Sequence, residues 1–146
     1  LKKNRISDGA ATKKDILKLV NKMQKSMSAI KKLEKKNSLQ MKKRFQRYKK
    51  ELDIKGKDLN MTEIFATLGK SDINEEVVRF DSHLGLVANL IKSKNNIGKK
   101  LDFYTQEMLR EANTMSSKAL ISEIKNEAVD IKSSIERMKE HAQNIE

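Results

Sequence analysis

The sequence predicts an all-α fold in which a long basic helix or helical hairpin precedes a compact helical bundle. Apolar residues recur at spacings of three and four in several separate stretches, which is the pattern of amphipathic helices. The 146 residues include no proline. Hydrophobic residues make up 37% of the chain and charged residues 36%. This composition is typical of long helices with narrow, coiled-coil-like apolar seams.

The first helical segment is expected to begin at Thr12, because residues 1–11 look irregular and Asp8-Gly9 is a turn signal. Its seam consists of Ile16, Val20, Met23, Met27 and Ile30. Polar residues interrupt the seam near Asn37, and it resumes at Met41, Phe45, Tyr48 and Leu52 until Gly56. The pattern leaves two readings open: one long helix weakened at 35–39, or two helices joined by a short turn.

Four further elements follow this segment. Residues 60–68 predict a short helix, and Ser71 or Asp72 is expected to cap the next one. That helix has a core face of Ile73, Val77, Phe80, Leu84, Val87 and Ile91. Gly98 opens another helix, whose stripe is Leu101, Tyr104, Met108, Ala112 and Met115. The last seam is Ile124, Ala128, Ile131, Ile135, Met138, Ala142 and Ile145. Seams this extended suggest self-association, because one small chain would have difficulty burying them.

Charge divides the chain into two parts. Residues 1–57 carry a net charge of +15 and residues 58–146 a net charge of −3. We therefore expect a basic helical arm (1–57) and a helical domain (58–146). Lysine pairs on the arm are either a solvated face or a surface that follows a phosphate backbone, with Arg44, Arg47 and Tyr48 as its best candidates. No apolar run approaches the roughly 20 residues that a membrane span needs. The absence of cysteine excludes disulfides and agrees with a cytoplasmic location.

Polar residues on the helix after Gly98 fall into ordered strips at about 100° per residue. The first strip is Asp102, Gln106 and Asn113; the second is Glu107 and Glu111; Arg110 and an outward Phe103 lie between them. On the preceding helix, Glu76, Arg79 and His83 share an arc of about 60°. The plainer alternative for Glu107, Arg110 and Glu111 is a set of exposed salt bridges within one helix.

The run from Gly98 to Lys118, with GKKLDF, QE, REANT and SK, resembles the C-terminal domain of the YicC family of bacterial endoribonucleases. The resemblance extends from Asp72 to the final QNIE, and more loosely to the first helix. Leu109 departs from the family, which commonly has asparagine there, and no arginine precedes Glu63. The resemblance implies RNA cleavage, RNA as partner, a ring-like hexamer and an N-terminal domain that this chain lacks.

The sequence contains no phosphate loop, HExxH motif or nucleophile elbow. The polar residues that it does contain are compatible with two routes to RNA cleavage. In the metal route, Glu107 and Glu111 with Asp102 hold Mg²⁺ or Mn²⁺. In the metal-free route, His83 is the general acid or base, within a network that includes Glu76. The expected RNA contacts are Lys99, Lys100, Arg110, Phe103, Gln106, Asn113, Arg79, Arg44 and Arg47. An RNA-binding adaptor without catalysis and a purely structural helical module are the alternatives.

Overall fold

The computed structural model describes the backbone of residues 2–54, 66, 69–93 and 97–144, with side chains from Thr12 onward except that of Ile54. Within these residues the fold is all-α, as the sequence predicts, and contains no strand. The helices are α1 (Lys2–Ile54), α2 (Asn74–Ile91), α3 (Gly98–Lys118) and α4 (Ser122–Gln143). The start of α3 at Gly98 confirms the sequence prediction, whereas the predicted end of α1 at Gly56 and nearly all of the predicted helix 60–68 lie outside the described residues.

The prediction that residues 1–11 are irregular is wrong, because α1 runs as a helix from Lys2 through Asp8-Gly9. An interior glycine costs a helix about 1 kcal/mol relative to alanine, which does not forbid it, and the next two residues are alanines. At about 1.5 Å per residue, the 53 residues of α1 span about 80 Å. The helix is therefore more than twice as long as the 22-residue α4.

Of the two readings for residues 35–39, the structure has the single continuous helix. Asn37 was expected to weaken the seam, since asparagine often bonds to its own backbone and disrupts a helix. Apart from a contact of Nδ2 with Met41 Sδ at 3.8 Å, its side chain bonds to groups outside α1. Its Nδ2 donates to the carbonyl of Ser71 at 3.0 Å, and its Oδ1 accepts from the Leu120 amide at 2.8 Å. Asn37 thus joins α1 to the segments that precede α2 and follow α3.

The four helices form an up-down-up-down bundle. Near one end of α2, Lys13 donates to the carbonyl of Ser93, and further along α1 Lys31 pairs with Asp81, so α1 and α2 are antiparallel. Lys36 pairs with Glu123 in the first turn of α4, which makes α4 antiparallel to α1 as well. α1 packs on α2 and α4, while α3 packs on α2 and α4 and lies diagonally across from α1.

One hydrophobic core fills the bundle, and it confirms the predicted seams of α1 (16–30), α2, α3 and α4 within the described residues. The seams at 16–30 and 124–142 are buried inside this single chain. The argument that they require a second chain is therefore wrong, and self-association stays a prediction without that support. Residues 16–33 of α1 share this core with the other helices, although the predicted boundary at 57/58 lies outside the described residues.

Beyond Asn37, α1 extends past the bundle. The predicted seam positions there are Met41, Phe45 and Leu52, which are half-buried, and Tyr48, which is exposed. At the start of α2, the Oδ1 of Asp72 accepts a hydrogen bond from the Asn74 amide at 3.0 Å, which satisfies one of the unpaired donors of a helix N-terminus. The N-cap residue of α2 is nevertheless Ile73, whose side chain makes no capping bond, so the prediction of a cap at Ser71 or Asp72 is wrong by at least one position.

Candidate functional site

Charged side chains join α2 to α3 in a cluster that we call the α2–α3 ion network. It consists of Glu75, Glu76, Arg79, Glu111 and Lys118. Arg79 Nε donates to Glu111 Oε1 at 3.0 Å, and its terminal nitrogens lie 3.3 Å from Glu75 Oε2 and 3.6 Å from Glu76 Oε1. Lys118 Nζ donates to the same oxygen of Glu76 at 2.8 Å. Two helices are thus cross-linked by two cations and three carboxylates.

The position of Arg79 follows from helix geometry. It lies three residues after Glu76 and four after Glu75, so it can contact both on one face of α2. The hydrogen bond from Arg79 to Glu111, together with the charge of that carboxylate, raises the pKa of the guanidinium above its usual value. The fork of the guanidinium suits this role, because it can bond to several carboxylates at once.

Glu76 is almost fully buried, with 2% of its surface exposed. Its Oε1 is bonded to Lys118, while its Oε2 is buried without a hydrogen-bond partner among the described residues. A buried carboxylate of this kind is stabilised by its cationic neighbours and cannot contact RNA in this arrangement. Glu111 is likewise buried and held by Arg79. Catalytic roles for Glu76 and Glu111 stay predictions, and their burial favours a structural role.

His83 lies one turn beyond Arg79 on α2. Its Nδ1 is 2.8 Å from the Arg79 carbonyl oxygen, and because a carbonyl only accepts, Nδ1 carries the proton and donates. The other ring nitrogen, Nε2, therefore has its lone pair available when the ring is neutral. The ring of His83 does not bond to Glu76, so the predicted proton-transfer network of these two residues is not formed among the described contacts.

Three rings form a row across α2 and α3. His83 and Tyr104 meet edge to face with centroids 6.2 Å apart, and Tyr104 and Phe103 do the same at 5.7 Å. We call these three residues the aromatic row. Phe103 is 58% exposed, as its outward position in the sequence pattern predicts. An exposed aromatic ring among cations is a surface on which an RNA base can stack.

Glu107 lies on α3 between Tyr104, which contacts His83 of α2, and Glu111, which bonds to Arg79 of α2. It is half-buried, and no partner of its carboxylate is found among the described residues. Arg110, Lys99 and Lys100 are exposed on the outer face of α3. The alternative of salt bridges within α3 is not found among the described contacts, and Glu111 bonds to Arg79 of α2.

The predicted metal ligands do not converge. Asp102 and Glu111 are nine residues apart and point to opposite sides of α3, about 180° apart. Asp102 accepts a hydrogen bond from Gln106 Nε2 at 3.3 Å and borders a shallow cleft with Lys99 and Lys139. Within the described part of the chain, no three His, Asp or Glu side chains could hold a metal ion. Asp102 is therefore not brought together with Glu107 and Glu111 in this chain, and a metal site on α3 stays a prediction.

The expected RNA contacts are not brought together either. Phe103, Gln106, Arg110 and Asn113 lie on the outer side of α3, whereas Arg44 and Arg47 lie on α1 beyond the bundle. Because α1 and α3 are diagonal partners, their outer faces point in opposite directions. One RNA molecule would have to pass around an end of the bundle to contact both faces of the same chain.

Sequence reasoning missed three residues of this region. Tyr104 was assigned to the core stripe but is half-buried and links the rings of His83 and Phe103. In the sequence Lys118 stands out only as part of the family motif, and its bond to Glu76 spans 42 positions, which no local spacing reveals. Asn37 is visible in the sequence only as an interruption of a seam. A polar residue inside an otherwise apolar stripe was the one available signal for it.

Comparisons with known proteins agree with the resemblance. The family model described as "Endoribonuclease YicC-like, C-terminal" matches residues 13–146. The protein named "Probable endoribonuclease YicC" of Clostridioides difficile is 49% identical over 77 residues, which is 53% of this chain and 26% of that protein. Its namesake in Haemophilus influenzae is 41% identical over 75 residues, 51% of this chain and 26% of that protein.

Each match thus covers about a quarter of the relative's length. No helix in the described residues is long and apolar enough to cross a membrane. The match of the family model, in contrast, includes α1 from Lys13 onward and the three helices that follow it, so that it spans most of the chain. The chain belongs to the family of YicC-like endoribonuclease C-terminal domains.

Proposed function

We propose that this chain is part of an endoribonuclease and that the outer surface of α2 and α3 around the aromatic row takes part in RNA cleavage. The names of its relatives support RNA as the substrate class. The observation that carries the proposal is the position of His83. The bond of its Nδ1 to the Arg79 carbonyl orients the ring and leaves Nε2 free. The unpartnered carboxylate of Glu107 lies on the same side of the bundle.

In this proposal, His83 and Glu107 share the proton transfers. Cleavage of a phosphodiester requires removal of a proton from the attacking hydroxyl and delivery of a proton to the departing oxygen. His83 Nε2 is suited to the first transfer when it is neutral. The Glu107 carboxylate would orient the water molecule that supplies the second proton, and the ion network would hold α2 and α3 at a fixed separation.

The exposed residues around this pair would position the RNA. Phe103 would stack on a base, while Lys100 and Arg110 would contact phosphate oxygens and stabilise the negative charge that develops on them. Gln106 and Asn113 could add hydrogen bonds from amides. The location is expected to be cytoplasmic, where RNA substrates are found.

Metal assistance by Mg²⁺ or Mn²⁺ stays a separate prediction. The three expected ligands do not meet in one chain, so no step is derived through a metal ion. Mg²⁺ often uses only one or two protein carboxylates together with substrate phosphates and water. Among the expected ligands, Glu107 is the one whose carboxylate has no described partner. A metal ion bound there would neutralise charge on the phosphate.

The second candidate is an RNA-binding adaptor without catalysis. The burial of Glu76 and Glu111 favours it, because two of the four expected catalytic residues are tied into cross-links between helices. In that case the same surface would bind RNA without cleaving it. Substitution of His83 or Glu107 would then leave the RNA intact, as the unsubstituted protein does. A hexamer or another homo-oligomer is compatible with either candidate.

The test compares cleavage of a fluorescent RNA by the natural full-length protein and by His83→Gln and Glu107→Gln variants. Each is expected to lower the cleavage rate by about 100-fold or more, as loss of a general acid or base does, with little change in RNA affinity. His141→Gln and Glu140→Gln, on α4, are the matched controls.

Each substrate incubation is repeated with EDTA and with added Mn²⁺. Cleavage that survives EDTA and is lost in His83→Gln supports the metal-free route. Cleavage that requires Mn²⁺ and is lost in Glu107→Gln places a metal ligand at that residue. Undiminished cleavage by both variants would contradict the proposal, and tight binding with no cleavage under any condition would favour the adaptor.

A further inference from the structure

The outer face of α1 carries a continuous row of positive charge. At about 100° per residue, nine basic residues between positions 14 and 50 fall within an arc of about 80°. We call them the basic stripe: Lys14, Lys18, Lys22, Lys25, Lys32, Lys36, Lys43, Arg47 and Lys50. At about 1.5 Å per residue, the stripe is about 54 Å long. It runs along both the bundle part of α1 and its extension.

Every member of the basic stripe is exposed. Ala29 and Gln40 are the only other residues between positions 14 and 50 in the same arc, so no carboxylate interrupts it. Asp15 and Glu51 lie just outside one edge. Lys36 pairs with Glu123, and no ion pair joins the other eight to a described residue. The stripe therefore presents a row of largely unneutralised cations to solvent.

The position of the stripe follows from the packing of α1. The buried residues Ile16, Met23 and Met27 lie on the opposite side of the helix, against α2 and α4. Lysines that flank the core, Lys13 and Lys31, are instead bonded to α2. The same residue type thus joins helices on the flank of α1, whereas on its outer face only Lys36 has an ion pair with a described residue.

We propose that the basic stripe binds the phosphate backbone of RNA along the length of α1, without reading its sequence. Lysine and arginine on a rigid helix neutralise phosphates and release counterions, which gives affinity that does not depend on base identity. The expected contact at Arg47 becomes one position in this longer surface, whereas Arg44 lies about 40° outside it. The inference rests on the proposed function for the identity of the polyanion.

The shape of the stripe favours RNA over an anionic lipid surface. A helix that lies on a membrane presents apolar side chains beside its cations, so that they enter the lipid. The arc of the basic stripe contains no large apolar residue, and Leu39 lies at its edge. A row about 54 Å long and free of carboxylates instead suits a chain of regularly spaced phosphates.

The experiment measures affinity for a fluorescent oligouridine of about 20 nucleotides in EDTA at several salt concentrations, with His83→Gln and Glu107→Gln present in every protein so that the oligonucleotide is not cleaved. One variant combines Lys43→Gln and Lys50→Gln, and a second combines Lys25→Gln and Lys32→Gln. The matched control combines Lys42→Gln and Lys49→Gln, each one residue away on the same helix but about 100° outside the stripe positions. All three remove the same charge from exposed positions.

Loss of two phosphate contacts is expected to weaken binding by about 10- to 30-fold near 0.1 M salt. It should also reduce the slope of log affinity against log salt by about 1.4. We expect both stripe variants to show these changes and the control to show clearly smaller ones. Equal losses in all three variants would mean that only net charge matters, and no loss in either stripe variant would exclude the surface. Both outcomes overturn the proposal.

A second arm uses vesicles of phosphatidylcholine and phosphatidylserine. Stripe-dependent binding to these vesicles without stripe-dependent binding to RNA would overturn the proposal in favour of a membrane surface. Because binding is measured without cleavage, the result is independent of His83 and Glu107. A stripe that binds RNA in a protein that does not cleave it would support this inference and contradict the proposed function.

Discussion

The α2–α3 ion network and the basic stripe use charge in opposite ways. In the network, Arg79 and Lys118 bond to three carboxylates, two of which are buried. In the stripe, exposed cations lie at regular intervals on a helix face without a carboxylate between them. A paired, desolvated charge holds helices together, whereas an unpaired, hydrated charge contributes little to stability and remains available to a polyanion. Location, rather than residue type, separates the two roles.

The largest effect on folding is expected from Lys118→Met. It removes the hydrogen-bonding cation from the buried carboxylate of Glu76, whose other oxygen already lacks a partner. Leaving a buried charge poorly compensated should lower the free energy of unfolding by about 3 kcal/mol. Urea unfolding measures it, with Lys125→Met on the exposed face of α4 as the control. A loss no larger than that of the control would mean that Arg79 alone compensates Glu76.

A somewhat smaller loss is expected from Asn37→Leu. The variant removes the partners of the Ser71 carbonyl and the Leu120 amide at a position that is 1% exposed. Unsatisfied polar groups of this kind cost about 2 kcal/mol. Thermal unfolding compares it with Ser38→Ala, the exposed neighbour. If Asn37→Leu is as stable as the wild type, the contact between α1 and the two segments is not what fixes this end of the bundle.

The basic stripe should behave differently. Lys25→Gln combined with Lys32→Gln is expected to change the free energy of unfolding by less than about 0.5 kcal/mol, because exposed unpaired residues rarely stabilise a fold. The same variant is expected to bind RNA weakly. Both properties should be measured on one preparation. A large loss of stability would mean that these lysines hold the fold together, as the α2–α3 ion network does, and are not reserved for binding RNA.

The smallest effect concerns pH. Burial, with the nearby charge of Asp72, raises the pKa of Glu34 above its ordinary value, while Lys31 opposes the shift. The folded state therefore binds the Glu34 proton more tightly than the unfolded state does. This contribution to stability is present below the unfolded pKa and is lost as pH rises through the folded pKa. Glu34→Gln should flatten that decline, measured as melting temperature from pH 4 to 7.

For Glu123 the sign is reversed. The hydrogen bond from Lys36 lowers the pKa of Glu123, so its contribution is present above the unfolded pKa and is lost as pH falls through the folded pKa. Glu123→Gln should therefore remove a decline in melting temperature at acid pH, whereas Glu34→Gln should remove a decline toward neutral pH. Two single variants with opposite pH dependence separate the two groups, and identical curves would contradict both assignments.

How much was predictable from sequence depends on the range of the interaction. The buried faces of α2, α3 and α4 follow from residue spacing, since each helix buries one stripe. The cross-links do not, because Lys118 and Glu76 or Asn37 and Leu120 meet only after the helices pack. The same holds for Glu111, which spacing grouped with Glu107 and packing assigned to Arg79. Self-association was inferred from seam length because nothing local shows that one chain can bury both seams.

The most direct test of the division between the two regions is the reactivity of individual lysines toward acetylation, measured by mass spectrometry with and without bound RNA. We expect RNA to protect Lys25, Lys43 and Lys50 of the stripe. Lys42 and Lys49 should stay reactive, and Lys118, bonded to Glu76, should react slowly in both conditions. Equal protection of Lys42 and Lys43, or of Lys49 and Lys50, would contradict the claim that RNA binds one face of α1.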